Sequence, residues 1–359
     1  MKNCLKKLFR SDLLTLEPYR SARLIGGNGK IWLNANECFS PPSFNLNNFF
    51  FNRYPECQPK ILLEKYSFYS GIKQKNILVS RGADEAIELL IRAFCIPGKD
   101  CIMTFPPTYM MYSKISEIYG IQNIKIPLIN NIKLDFEKIS LYVQNVKLIY
   151  LCRPNNPTGH LLNLKNVISV LDVVKNDSIV VIDEAYIEFC EKNTLTFLLK
   201  KYDNLIILRT LSKSFGLAGI RCGFTLAHED IIQILNKIIA PYPLTMPSID
   251  IAIQALEDTN ILVMKNRVSV CNQNKLWLLK KIKKLSLVNY IFDSQANYIL
   301  VNFFYAKKIF NILWNQGIIL RDQSHELSLK NCLRITIGTK KECELLYFAL
   351  KNISLEQCK

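Results

Sequence analysis

The sequence predicts an α/β protein: a large domain with a mostly parallel central sheet, followed by a smaller α+β domain. Three observations carry this prediction. From about residue 76 to 240, short apolar runs that end in polar loops alternate with stretches of helical periodicity, the mark of strand-helix units. After Pro241-Tyr242-Pro243 a long helical stretch leads into three further strand-like runs set among helices. The 359 residues, 49% hydrophobic with mean hydropathy +0.10, suffice for one large and one small core.

Residues 1–16 are basic, with Leu5, Leu8, Phe9, Leu13 and Leu16 at helical spacing. Asp12 and Glu17, and the lack of an apolar segment or small-residue cleavage site, favour a docked N-terminal helix over a targeting peptide. Strand 77–79 runs through Ser80-Arg81-Gly82-Ala83-Asp84 into a helix marked by Ile87, Leu90, Ile91 and Phe94. Strand 146–151 enters Arg153-Pro154-Asn155-Asn156-Pro157-Thr158-Gly159, whose prolines stop it. Strand 179–182 ends at Asp183-Glu184, and strand 205–208 at a loop centred on Lys213. One helical stretch is expected over about 248–285, then strands at 297–301, 317–320 and 332–337. The expected division is an N-terminal arm (1–45), a large domain (46–245), and a linking helix with the small domain (246–359).

The formal charge of +16 invites nucleic acid or an anionic membrane as partner, yet the lysines are spread along the whole chain. The densest group, Lys280, Lys281, Lys283 and Lys284, alternates with Leu and Ile as on the wet side of an amphipathic helix. No nucleic-acid partner is therefore expected. No run approaches the ~18 apolar residues of a membrane span. The 12 cysteines form no CxxC pair and only 3 histidines accompany them, so no metal site is expected, and free thiols suit a reducing cytoplasm.

The chemistry centres on Leu211-Ser212-Lys213-Ser214-Phe215-Gly216-Leu217-Ala218-Gly219-Ile220-Arg221. A lysine in a partly dry site at the end of a buried strand loses proton affinity from its ordinary value of about 10.4. Its neutral amine is then free to form an imine with an aldehyde. Pyridoxal phosphate supplies such an aldehyde, and Ser212 and Arg221 suit its phosphate. The same residues also fit a surface lysine in a Ser/Gly loop, so the remaining loops must decide.

Ligands of open α/β sheets bind beyond the carboxyl ends of the strands, where several of these loops converge. Gly82-Ala83-Asp84 at a helix start offers backbone N–H groups and a positive dipole end to a dianion; an ordinary turn with Asp84 as a cap is the alternative. Asp183 is suited to face a pyridine nitrogen and keep it protonated. Four apolar residues before Asp183-Glu184 also resemble a Walker B strand, but Gly26-Gly27-Asn28-Gly29-Lys30 lacks the spacing of the phosphate loop that such a site needs. Asn156 and Tyr186 are candidates for hydrogen bonds to the cofactor's phenolic oxygen, and Tyr109 for stacking on its ring; each also fits a turn or packing role. Arg334, inside an apolar strand, needs an anion: a structural ion pair or a bidentate substrate.

The lysine motif resembles that of fold-type I pyridoxal-phosphate aminotransferases. Together with Glu17-Pro18-Tyr19-Arg20, Trp32-Leu33-Asn34-Ala35-Asn36-Glu37, the segment from Asn52 to Lys60 and Val79 to Glu85, the chain resembles the histidinol-phosphate aminotransferase family over nearly its entire length. That resemblance implies a homodimer in which Tyr54 reaches the cofactor phosphate of the neighbouring subunit. It also implies that Arg334 binds both the α-carboxylate of glutamate and the phosphate of histidinol phosphate, with Tyr19 and Arg321 as further phosphate contacts.

Two departures stand out: Arg153 where relatives carry a small residue, expected to add charge near the site, and Cys38-Phe39 where a proline is usual, expected to alter a substrate-side loop. The expected activity is amino transfer between histidinol phosphate and 2-oxoglutarate, with Lys213 as covalent anchor and general acid/base. A pyridoxal-phosphate decarboxylase of an amino-acid phosphate and a non-enzymatic regulator are the alternatives. The regulator would need a DNA-binding module, for which the residues before Tyr19 are too few.

Overall fold

The computed structural model describes residues 8, 10–19, 21–22, 28–45, 52–174 and 177–354. In chain order the elements are β1 (Ile31–Trp32), α1 (Lys60–Ser70), β2 (Ile77–Ser80), α2 (Gly82–Phe94), β3 (Cys101–Thr104), α3 (Met111–Ile118), β4 (Gln122–Lys125), α4 (Phe136–Tyr142), β5 (Val146–Cys152), α5 (Leu164–Val174), β6 (Ile179–Asp183), β7 (Leu205–Thr210) and β8 (Gly223–Leu226). There follow α6 (Glu229–Ile238), α7 (Met246–Ala255), α8 (Asp258–Ile282), β9 (Val288–Ile291), β10 (Tyr298–Phe303), α9 (Ala306–Asn315), β11 (Ile318–Ile319), β12 (Arg321–Asp322), β13 (Cys332–Thr336) and α10 (Lys340–Lys351).

Seven strands form the large sheet in the order β2-β8-β7-β6-β5-β3-β4. Pairing is parallel from β7 through β6, β5 and β3 to β4, and only β8 runs against its neighbours. Because β8 is antiparallel to both β7 and β2, those two strands point the same way and end at the same edge. The side-chain period of two sorts the strand residues between two cores. Val180, Ile182, Leu205 and Ile207 pack under α1, α5 and α7, whereas Val181, Ile206 and Leu208 pack under α2, α3 and α6. Burial on both faces explains why these strands are apolar at nearly every position.

The second sheet, β12-β13-β10-β9, is antiparallel throughout and packs with α8, α9 and α10. Helix α8 joins the two cores: Met264 is buried with the large sheet, and Cys271, Leu278 and Ile282 with the small one. The expected single helix over 248–285 is in fact α7 and α8. Glu257 is extended (φ −75°, ψ 147°) and starts the second helix. The apolar rhythm hides this break because Leu256 at the corner is itself buried in the same core as α7. Of the apolar run 317–320 only Ile318–Ile319 is a strand, β11, which pairs in parallel with β1 as a separate two-stranded sheet; β12, directly after the run, pairs with β13. Just after β1, the Thr336 N–H of β13 donates to the Leu33 carbonyl at 2.9 Å and ties the N-terminal segment to the second sheet.

The N-terminal helix is not observed over the described part of 1–16. Ser11–Leu13 form a 3-10 turn, Leu8 is also in 3-10 conformation, and Leu8, Leu13 and Leu14 are exposed. With Leu8, Leu13 and Leu14 exposed, little among the described residues holds this part helical. Residues 1–7 and 9 lie outside the described residues, as do Gly26 and Gly27. Lys280, Lys281, Lys283 and Lys284 are all exposed, as a solvated helix face requires. No helix among the described residues is long and apolar enough to cross a membrane, and each described cysteine is free.

Gly223 is where the sheet meets the start of α2. A Cβ there would lie 2.5 Å from the carbonyl carbon of Gly82 and 2.7 Å from the backbone nitrogen of Ala83, and neither is a flexible neighbour. Gly223→Ala is expected to destabilise the fold by about 1–3 kcal/mol. Urea denaturation checks it, and an unchanged midpoint contradicts the packing described.

Candidate active site

The carboxyl ends of β2, β3, β5, β6 and β7 open on a cavity of about 280 Å³, closed on its far side by the second sheet. Twelve of the thirteen residues singled out from the sequence line it: Tyr19, Ala83, Asp84, Tyr109, Asn156, Asp183, Tyr186, Ser212, Lys213, Arg221, Arg321 and Arg334. Tyr54 is the exception. It lies outside the cavity, 78% exposed, with its ring stacked on Tyr242 at 4.2 Å.

Lys213 sits in the turn after β7, and its Nζ donates to the Ala35 carbonyl at 3.2 Å. Burial of the amine, reinforced by the Arg334 guanidinium, lowers its pKa to about 8, against the opposing pull of Asp84 and Glu37. A substantial neutral fraction near neutral pH is the property that a nucleophilic amine needs.

At one end of the cavity α2 begins with Gly82 at φ 75°, and no side chain caps it. Asp84 is not a cap. It accepts from Tyr109 Oη at 2.8 Å and from Arg221 Nη2 at 3.2 Å. Arg221 Nη1 also donates to Ser212 Oγ at 3.3 Å. The left-handed φ at residue 82 favours glycine, and a Cβ there would lie 2.5 Å from Arg221 Nη2, so the guanidinium would have to move. The result is a helix N-terminus, a guanidinium and a hydroxyl gathered in one place, a donor set suited to a dianion.

Asp183 closes the floor. Tyr112 Oη donates to its Oδ2 at 2.6 Å, and the Ala185 N–H donates to its Oδ1 at 3.0 Å. Burial raises its pKa, and the two donors oppose that rise. A cationic ring nitrogen brought against it would favour the ionised form.

On the opposite wall Arg334 Nη1 donates to Asn156 Oδ1 at 2.6 Å and Nη2 to the Asn34 carbonyl at 2.8 Å. Its guanidinium lies over the Tyr298 ring, 5.5 Å from the centroid. The buried Nε has no hydrogen-bond partner, and among the described residues no carboxylate forms an ion pair with Arg334. Arg321 is its register neighbour across β12 and β13, so two positive side chains stand opposite each other on the cavity wall.

Arg153 does not line the cavity. It is buried, and donates from Nε to the Leu162 carbonyl at 2.7 Å and from Nη1 to the Asn193 carbonyl, so its guanidinium is solvated by peptide dipoles away from the cavity, with Glu184 as the opposing charge. Cys38 also stands outside, within reach of a Cβ at Gly216 behind the lysine turn. Tyr112, Asn36, Thr210, Gln323, His325 and Glu326 were not anticipated as parts of the site. Tyr112 carries no sequence signal: it is one aromatic among several in a helix.

Residues 46–350 match the profile of aminotransferase class I and II. The chain is 53% identical over 349 residues to the histidinol-phosphate aminotransferase of Buchnera aphidicola subsp. Schizaphis graminum, covering 97% of this chain and 98% of that one. It is 51% identical to the histidinol-phosphate aminotransferase of Yersinia pseudotuberculosis, covering 98% and 92%. The chain belongs to the histidinol-phosphate aminotransferase family. Its fold is that of the histidinol-phosphate aminotransferase from Sinorhizobium meliloti solved in complex with pyridoxal-5'-phosphate, with TM-score 0.83 at 21% identity over 96% of each chain. Fold-type I architecture and a pyridoxal-phosphate cofactor come with this family.

Only the neutral form of Lys213 reacts with amine-directed reagents, so its labelling in cofactor-free protein should rise with pH through a midpoint near 8. An ordinary lysine reaches its midpoint near 10.4. Peptide-resolved labelling over a pH series checks this, and a midpoint at the ordinary value contradicts the assigned environment.

Proposed function

We propose that this protein catalyses reversible amino transfer between histidinol phosphate and 2-oxoglutarate, yielding imidazole acetol phosphate and glutamate in histidine biosynthesis. The observation that carries the reading is Arg334: a buried guanidinium on the cavity wall, opposite the Lys213 turn, without a carboxylate partner among the described residues. One guanidinium suits both halves of the reaction. Histidinol phosphate has a phosphomethyl group where glutamate has its α-carboxylate, and either anion satisfies the planar donors. Tyr19 and Arg321, on the same cavity, would add to the phosphate contacts.

The donor set fits pyridoxal phosphate. Ala83, Asp84, Ser212 and Arg221 at the start of α2 would hold its phosphate, Asp183 its ring nitrogen, Asn156 and Tyr186 its phenolic oxygen, and Tyr109 a ring face. When bound, the cofactor supplies an aldehyde for the substrate amine and a ring that accepts electrons as the substrate C–H bond breaks. Lys213 Nζ would be the anchoring amine and, once the substrate amine has displaced it, the general acid/base that removes the proton from the substrate carbon bearing nitrogen and redelivers it within the site. Tyr112 and the Ala185 N–H keep the Asp183 carboxylate aimed into the cavity. Asn156 and the Asn34 carbonyl hold the Arg334 fork in its plane, ready for a bidentate anion.

The same reading includes a homodimer in which Tyr54, exposed and outside its own cavity, reaches the cofactor phosphate of the neighbouring subunit. It also includes a cytoplasmic location and the division into an arm (1–45), a large domain (46–245) and a linking helix with small domain (246–359).

An absorbance titration of the cofactor-loaded protein tests the reading. Histidinol phosphate is expected to convert the aldehyde form to the amine form, and 2-oxoglutarate to restore it with one glutamate formed per cycle. Arg334→Lys should weaken both ligands about tenfold or more, since the fork is lost. Carbon dioxide release without glutamate, or weakening of one ligand alone, contradicts the proposal.

A further inference from the structure

Three consecutive residues of the N-terminal segment each hold one group that faces the cavity. The Asn34 carbonyl accepts from Arg334, the Ala35 carbonyl accepts from Lys213, and Asn36 Nδ2 donates to Tyr186 Oη at 3.0 Å. Asn36 is 1% exposed and has φ 53°, a left-handed conformation that asparagine tolerates better than most residues.

The direction of the Asn36–Tyr186 bond follows from a closed set of donors and acceptors. The Asn36 N–H donates to Thr336 Oγ1 at 2.9 Å. The Thr336 hydroxyl then directs its own proton to Asn36 Oδ1, 3.2 Å away. With the amide oxygen committed to Thr336, the amide nitrogen must face Tyr186 and donate. The Asn36 carbonyl is fixed from the other side by Asn297 Nδ2 at 3.0 Å, so the segment cannot pivot. A tyrosine oxygen that receives this bond must send its proton elsewhere. Among the described residues it has no other hydrogen-bond partner, and the cavity it lines is the remaining direction.

We propose that Asn36 is a positioning residue that makes the Tyr186 hydroxyl a donor into the cavity, toward the phenolic oxygen of the cofactor. This rests on the reading that Tyr186 faces that oxygen. A donor there stabilises the deprotonated oxygen and lowers the proton affinity of the cofactor's covalent link. The other groups around Tyr186 are Arg334, Asp183, Cys152, the Tyr298 ring and the Lys213 amine, and a charge added at residue 36 acts on the two cations among them whether or not Tyr186 keeps its hydroxyl.

Asn36→Asp keeps the shape, the tolerance of positive φ and the acceptor facing Thr336, while replacing the donor to Tyr186 by an acceptor. Tyr186 then gives its proton to the new carboxylate and is lost to the cofactor. In the cofactor-loaded protein the pH midpoint of the absorbance change is expected to rise by about one unit, a tenfold change in proton affinity. In a Tyr186→Phe background the same substitution is expected to shift the midpoint by less than half as much, because there is no hydroxyl to redirect. Thr336→Val, which frees the amide to turn, should shift the midpoint in the same direction by a smaller amount and serves if Asn36→Asp does not fold.

An equal shift with and without the Tyr186 hydroxyl reduces the effect to added charge and overturns the proposal, as does a midpoint indifferent to both variants. A band that ignores Tyr186→Phe and survives Lys213→Ala overturns instead the underlying reading of the site.

Discussion

A lysine amine buried beside a guanidinium holds its proton weakly, and the remainder of the structure is arranged around that fact. Arg334 and Arg221 push the proton off Lys213, whereas Asp84 and Glu37 pull it back, and burial decides the balance. Such a site requires a place where charged groups meet without water between every pair. Parallel strands ending at one edge provide it, since each strand delivers one polar turn to the same cavity while its apolar residues stay in the two cores. The reversal at β8 brings β2 into register with that edge and places the start of α2 beside Arg221.

The second sheet contributes the charge that the first cannot. Arg334 reaches the cavity from β13, crossing to Asn156 on the loop after β5 and to Asn34 on the N-terminal segment. Its position opposite Arg321 concentrates positive potential on one wall, an arrangement that is costly without an anion and favourable with one. The N-terminal segment is the joint between the two sheets. Through β1 it pairs with β11, and through residues 34–36 it fixes the arginine, the lysine and the tyrosine together.

Much of this was legible in the sequence for a definite reason. Lys213, Asp183, Asn156 and Gly82-Ala83-Asp84 each follow an apolar run that reads as a strand, so their convergence at one sheet edge needs only the parallel topology. Groups that act through another side chain left no such mark. Asn36 and Thr336 are 300 residues apart, and Tyr112 lies 71 residues from Asp183, so their bonds exist only once the chain has folded. Arg153 shows the opposite failure: a charge beside a catalytic loop in sequence is turned away in space and satisfied by carbonyl groups. The α7–α8 break and the corner between β11 and β12 were hidden because apolar periodicity reports burial, and burial continues across both corners at Leu256 and Leu320.

The central claim is that Lys213 Nζ is the one amine that bonds the cofactor. Borohydride reduction of the cofactor-loaded protein, followed by peptide mapping, tests it most directly. Label confined to the peptide that carries Lys213 is the predicted result; label on any other lysine, or none at all, contradicts it.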